Sequence, residues 1–180
     1  MSQIVIVSGS PSAMSRSDRI LYYLGNLIEA QGYSIKYISV KDIHAEDLLL
    51  ANFNSPMIQE ISITLEHAVG VIVGSPVYKA SYTGVLKALF DILPQDILQD
   101  KFVLPIMTGG SSSHLLALEY ALKPLLATVK GHTLKGLYYQ DSDIDKTVNP
   151  VIVNKDMLER TKKQLEYFLE KINVEGHVKI

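Results

Sequence analysis

Apolar positions along this chain fall into short, β-branched runs separated by longer stretches with helical spacing. Three of the runs end in small, polar, hydrogen-bonding loops. Residues 4–7 lead into Ser8-Gly9-Ser10-Pro11, and residues 71–73 into Gly74-Ser75-Pro76-Val77-Tyr78-Lys79. Residues 102–107 lead into Thr108-Gly109-Gly110-Ser111-Ser112-Ser113. A segment of helical period follows each loop. In an open parallel sheet such loops lie together at the carboxyl ends of the strands, where α/β proteins bind ligands. The recurrence predicts one composite site built from all three.

The remaining pattern is equally regular. Residues 3–8 lack polar alternation, as a strand covered on both faces does. Residues 15–31 predict the first helix, with Ser15 as N-cap and Asp18 three positions on as a capping-box variant. Ile20, Leu21, Leu24, Leu27 and Ile28 form its apolar stripe, and Gly32 ends it as a C′ glycine. Residues 34–40 alternate partially, which suits an edge strand, and 41–53 read as loop or a short helical turn. Ser55-Pro56 predicts an N-cap with proline at the first helical position, opening a helix to about residue 67. Strands at 70–74, 102–108 and 134–139 alternate with helices at 83–93, 112–129 and 155–173. Met157, Leu158, Leu165, Phe168 and Leu169 supply much of the last apolar face. Five such units predict an α/β fold: a doubly wound, three-layer, five-stranded parallel sheet. The first loop suits phosphate and the edge-like strand comes second, so the expected order is 2-1-3-4-5, flavodoxin-like. No repeat or linker divides the chain, and residues 1–180 are expected to form one domain.

Composition narrows the partners. A chain of 180 residues with 47% hydrophobic and 20% charged positions is that of an ordinary globular protein. A net charge of −2 with scattered acids gives no electrostatic reason to expect nucleic acid or anionic membrane. The absence of cysteine excludes disulfides, thiolate nucleophiles and cysteine-ligated metals. Met1-Ser2-Gln3-Ile4 lacks the basic and long apolar regions of a signal peptide, and no run approaches the ~18 residues of a membrane span. A cytoplasmic protein is expected.

The first loop opens a helix, where free N–H groups and the dipole favour an anion. Ser10, Ser12, Ser15 and Ser17 add hydroxyls, and Arg16 adds a fixed charge suited to phosphate. Neither the Walker pattern nor Gly-x-Gly-x-x-Gly is present, which removes support for triphosphate hydrolysis and the common dinucleotide fingerprint. A phosphomonoester held mainly by hydroxyls is the sharper reading; a serine-capped loop with Arg16 in solvent is the plainer one. In the second loop, Pro76 and Val77 can lay main chain along a flat heterocycle and Tyr78 offers a stacking face. The alternative there is a tight turn with Tyr78 packed into the next helix. Gly109 and Gly110 free the third loop for close approach. Together the loops describe a pocket for a planar ring with a phosphorylated tail.

Other candidates fail. Asp141-Ser142-Asp143-Ile144-Asp145 has the spacing of a calcium loop's first ligands, but Lys146 and Ile152 stand where glycine and glutamate are required, so a charged turn is expected. His44, His67, His114, His132 and His177 have no metal spacing, and His114 is placed at a helix start. No Gly-x-Ser-x-Gly elbow anchors a hydrolase triad. The chain offers no convincing acid/base or nucleophile pair, an absence expected where a bound group carries the chemistry.

These residues resemble a known family. Gly9-Ser10-Pro11 with Ser15-Arg16-Ser17, Glu46-Asp47-Leu48-Leu49 with Phe53, Ser55 and Pro56, and Pro76 through Gly84 with Leu86-Lys87 carry the likeness. Leu104-Pro105, Thr108-Gly109-Gly110, His114 through Ala117 and Tyr120 through Pro124 extend it. The chain resembles the NADPH-dependent FMN reductases of two-component alkanesulfonate monooxygenase systems, within the flavodoxin-like NAD(P)H:FMN reductases. The resemblance implies FMN with its phosphate at Ser10, Ser15, Arg16 and Ser17. The isoalloxazine would lie between Pro76, Val77, Tyr78 and Lys79 on one side and Thr108, Gly109, Gly110 and Ser111 on the other. It implies hydride transfer from NADPH or NADH to flavin N5, then to a free FMN that leaves for a flavin-dependent monooxygenase. It also implies a homodimer or homotetramer. Tyr120 matches a tyrosine that sits in a π-helical insertion at the tetramer interface and tunes flavin transfer; an ordinary core or interface aromatic is the alternative. Relatives commonly carry arginine where this chain has Ser12, which leaves Arg16 the main phosphate cation and implies weaker resident FMN.

Within the same chemistry, quinones, azo dyes or metal oxyanions are alternative terminal acceptors. A flavodoxin-type electron carrier is a different class, and the small net charge argues against it. A non-catalytic nucleotide-binding module would bind no flavin.

Overall fold

Alternating side-chain size along the strands decides which helices cover which face. In β1 (Gln3–Ser8) and β3 (Gly70–Pro76), Val5, Val7, Val71 and Val73 point one way and Ile4, Ile6 and Ile72 the other. The computed structural model describes residues 3–175; Met1, Ser2 and His177 lie outside the described residues. β2 (Ser34–Ser39), β4 (Phe102–Gly109), β5 (His132–Thr133) and β6 (Leu137–Gln140) complete the sheet. Every pairing is parallel and the order is β2-β1-β3-β4-β5, with β6 also on β4. This is the expected flavodoxin-like order, with β2 at the edge.

The valine face packs under α3 (Pro56–Glu66), α4 (Gly84–Ile92) and the helix after β4, through Ile58, Leu65, Leu86, Leu89, Leu122 and Leu126. The isoleucine face is covered by α1 (Arg16–Glu29) and α7 (Lys155–Glu175), through Ile20, Leu24, Leu165 and Phe168. Gly70 and Gly74 sit on this second face. A Cβ at Gly70 would stand 2.8 Å from Phe168 and Ile172, and one at Gly74 would stand 2.8 Å from Leu21. Both covering helices therefore approach the central strand as closely as hydrogen allows.

Several local expectations are corrected. The fifth strand is two pieces, interrupted at 134–136. The Val103 carbonyl accepts from Leu134 N–H, so Pro105, two residues on, turns its donor-less nitrogen to the same neighbour. The ladder cannot continue there, and Gly136 at φ 78° carries the chain past the Pro105 carbonyl. Ser15 caps α1 by accepting from Asp18 N–H (3.1 Å), but the return bond of a capping box is absent because the Asp18 carboxylate is taken by Ser8. Gly32, at φ 89°, lies two residues beyond the Ala30 C-cap. Ser55 precedes α3, yet its hydroxyl donates to Asp47 (2.5 Å) rather than capping the helix. That bond, with one from Asn52, holds the Asp47 carboxyl below its usual range and ties α2 (Ala45–Leu49) to α3. The fourth helix begins as a 3₁₀ turn (Ser112–His114) and α5 (Leu115–Ala117). It then widens to a π turn (Leu118–Leu122) and resumes as α6 (Lys123–Thr128). No helix among the described residues is long and apolar enough to cross a membrane.

Gly74→Ala should cost about 1–3 kcal/mol, since Leu21 is buried and cannot swing away. The check is a lower urea midpoint at unchanged m-value.

Candidate functional site

The three strand-end loops are fastened in sequence, each to the next. At the end of β1, Ser8 donates its hydroxyl to the buried carboxylate of Asp18 (2.5 Å), with Lys41 at 3.5 Å. Asp18 Oδ2 makes no hydrogen bond, so the Lys41 contact is ionic alone. Strand end and helix start thus grip the first loop from both sides. Within it, the Ser10 hydroxyl donates to the Ser12 carbonyl (3.1 Å) and accepts from the Ser12 N–H (3.3 Å). The Ser15 and Ser17 hydroxyls lie 3.0 Å apart. Ser15 satisfies the N–H of Asp18, which leaves those of Arg16 and Ser17 without an intrahelical acceptor.

Gly9 donates its N–H to the Gly74 carbonyl (2.7 Å), and its own carbonyl accepts from the Thr83 hydroxyl (2.6 Å). Thr83 also donates its N–H to Ser75 Oγ (3.1 Å) and caps α4 by accepting from Leu86 N–H (3.2 Å). One threonine thereby joins the first loop to both ends of the second. The second loop then joins the third where Val77 N–H donates to the Thr108 carbonyl (2.8 Å). Tyr78 and Ser81 exchange two backbone bonds around Lys79 and Ala80, whose φ values of 50° and 64° make a hairpin turn of the primed kind. The third loop rests on Tyr138, whose hydroxyl donates to the Ser111 carbonyl (2.5 Å). Burial raises the Tyr138 pKa, so the phenol keeps its proton and goes on donating. A Cβ at Gly109 would lie 2.6 Å from that hydroxyl, so glycine is needed there.

The loops enclose one cavity of about 240 Å³ at the carboxyl ends of the strands. Ser10, Ser15, Arg16 and Ser17 line one end. Pro76, Val77 and Tyr78, with Thr108, Gly109 and Gly110, line the other. Lys79 and Ser111, also expected at the site, do not line it. Lys79 sits at the tip of the hairpin turn, and Ser111 is engaged with Tyr138 and with the N–H of Ser113. Ser12, named above among the loop hydroxyls, also lines the cavity, which adds Asp141 and Lys146, two residues the sequence reading did not assign to it. Asp141 and Lys146 belong to the charged turn after β6, whose carboxyl end opens on the same sheet edge; that topology was the available signal. Asp141 lies 3.7 Å from Arg16, and both side chains are half exposed. A larger hollow of about 670 Å³ between the π turn and α7 shares no residue with this cavity. No group of three or more histidine, aspartate or glutamate side chains among the described residues is placed to hold a metal.

Residues 2–144 match the profile of the NADPH-dependent FMN reductases. The chain belongs to that family. An FMN reductase (NADPH) of Pseudomonas putida is 45% identical over 142 residues, covering 78% of this chain and 72% of the relative. One of Escherichia coli is 41% identical, covering 79% and 75%. The apo crystal structure of an NADH:FMN oxidoreductase superposes with a TM-score of 0.81 at 33% identity, covering 93% of this chain and 88% of the other. Membership makes this chain an NAD(P)H:FMN oxidoreductase, with FMN as flavin and a reduced nicotinamide as electron donor. The cavity fits such a group: hydroxyls, a guanidinium and an ammonium suit a phosphate, and the opposite end offers an aromatic face and glycine backbone.

Tyr138→Phe removes the prop under the third loop. FMN and riboflavin binding should both weaken about fivefold, the ~1 kcal/mol of one hydrogen bond. Quenching of flavin fluorescence measures it.

Proposed function

We propose that the FMN phosphate is held by Ser10, Ser15, Arg16 and Ser17, and that the isoalloxazine lies between residues 76–78 and 108–110. The observation that carries this is the single cavity shared by all three loops, cationic and hydroxyl-rich at one end, apolar and aromatic at the other. When bound, FMN supplies the hydride-accepting chemistry. The protein's part is to bind and orient. The unpartnered N–H groups of Arg16 and Ser17 and the Arg16 guanidinium neutralise the anionic tail. Pro76 and Val77 present main chain to the ring edge, and Tyr78 covers one side. Lys79 and Ser111 hold the shapes of their loops rather than touching the flavin.

The reaction we propose delivers reduced FMN to a flavin-dependent monooxygenase, and the likeness to the alkanesulfonate systems supports sulfonate sulfur assimilation as its setting. Three features support release of the product flavin. The cavity is open, Tyr78 is 47% exposed, and Arg16 is already shared with Asp141. Purified protein should oxidise NADPH or NADH with saturation in free FMN, and kinetics with both nicotinamides decide the donor. Failure of both to reduce the flavin would overturn the reading.

The π turn supports an assembled state. Leu115, Leu116 and Tyr120 are 47%, 60% and 79% exposed along this helix, a run of apolar side chains of the kind that marks contact with another chain. We infer that copies of the chain meet here as a homodimer or homotetramer, with Tyr120 at the contact. Tyr120→Asp should lower the mass found by sedimentation equilibrium; an unchanged mass would remove Tyr120 from the interface.

A further inference from the structure

The phosphate end of the cavity contains an anion of its own. Asp141 Oδ2 lies 3.7 Å from Arg16 Nη1, so the one cation of the first loop is offset by a carboxylate in the same cavity. The carboxylate offsets part of the charge that Arg16 presents to a dianion. The sign of the site is then decided by Lys146, the remaining charged residue in the lining. Lys146 makes no ion pair among the described residues.

Lys146 is held at the cavity through both its side chain and its backbone. Its ammonium donates to the Met14 carbonyl (3.3 Å) in the first loop, and its carbonyl accepts from Arg19 Nη2 (3.2 Å) on α1. The preceding Asp145 is occupied elsewhere: its carboxylate accepts from the Thr147 N–H (2.9 Å) and hydroxyl (2.6 Å). Those bonds close the turn and hold the Asp145 pKa below its usual value. The base of the turn is pinned to the residues before α7, where Asp145 N–H donates to the Val151 carbonyl (2.9 Å) and Val153 N–H to that of Asp143 (2.9 Å). Lys146 also lies beyond residue 144, where the family match ends.

We propose that Lys146 is a phosphate-binding residue, the second cation that lets this site prefer a phosphorylated flavin over an unphosphorylated one. This rests on the assignment of the Arg16 end of the cavity to the FMN phosphate. On arrival of the phosphate, Lys146 exchanges its long bond to the neutral Met14 carbonyl for one to an anionic oxygen, while Asp141 weakens the hold of Arg16. Preference for FMN is thus carried by a residue outside the first loop, and Asp141 keeps the site from closing on the flavin permanently.

The test is equilibrium binding of FMN and of riboflavin to the full-length protein, followed by flavin fluorescence, for four forms: the parent chain, Lys146→Gln, Lys146→Arg and Arg16→Ala. Lys146→Gln should raise the FMN Kd about tenfold and leave that of riboflavin within twofold, and Lys146→Arg should bind FMN almost as the parent does. An unchanged FMN Kd in Lys146→Gln overturns the proposal, and so does an equal loss of FMN and riboflavin, which would mark a structural role. Arg16→Ala separates this from the site assignment. If Arg16→Ala abolishes the preference for FMN while Lys146→Gln does not, the phosphate site stands and Lys146 is outside it. If neither variant changes the preference, the assignment of the site itself is wrong.

Discussion

The site depends on a single threonine. Thr83 gives its hydroxyl proton to the Gly9 carbonyl and its N–H to Ser75, while the same oxygen starts α4 by accepting from Leu86. It is 1% exposed, so these bonds form where water does not compete. A parallel register already brings strand ends to one edge, but only to within the freedom of their loops. Thr83 removes that freedom between the first two, and the Val77–Thr108 bond removes it between the second and third. What remains is a cleft whose walls cannot drift apart without breaking buried hydrogen bonds.

Most of the scaffold was legible because its signals are local and redundant. Uninterrupted apolar runs marked the buried strands, and Ser15 marked the start of α1. The failures are equally physical. Pro105 announces a missing donor but not which neighbour it faces, so the broken fifth strand was hidden until Val103 was seen bonded to Leu134. Around the π turn the buried Leu118, Leu122 and Leu126 keep the four-residue steps that an α-helix also shows, so periodicity did not expose it and only the family likeness at Tyr120 pointed there. Ser55 has the residue type of a cap, but Asp47 accepts its hydroxyl from a separate helix, a contact of tertiary origin.

The site shows the same division. Residues contributed by loops directly after strong strands were found, since strand and loop identify one another. Asp141 and Lys146 follow the weakest strand, β6, within a turn whose acids resembled a failed calcium loop. Their placement comes from the sheet, which brings the end of β6 alongside the ends of β1, β3 and β4. The electrostatic balance at the Arg16 end of the cavity therefore involves a part of the chain that lies at the margin of the family likeness, while the Tyr78 end is built within it.

The break beside Pro105 has a consequence for behaviour in crowded solution. A long flat border strand offers unpaired amides on which another chain can assemble, the usual start of fibrous association. Here that border is cut into lengths of two and four residues, with Lys135 between them, and the opposite border, β2, carries Lys36 at its centre. Neither side offers a continuous uncharged template. A parallel α/β protein, slow to complete its non-local pairings, is thereby protected during the interval when its margins are bare.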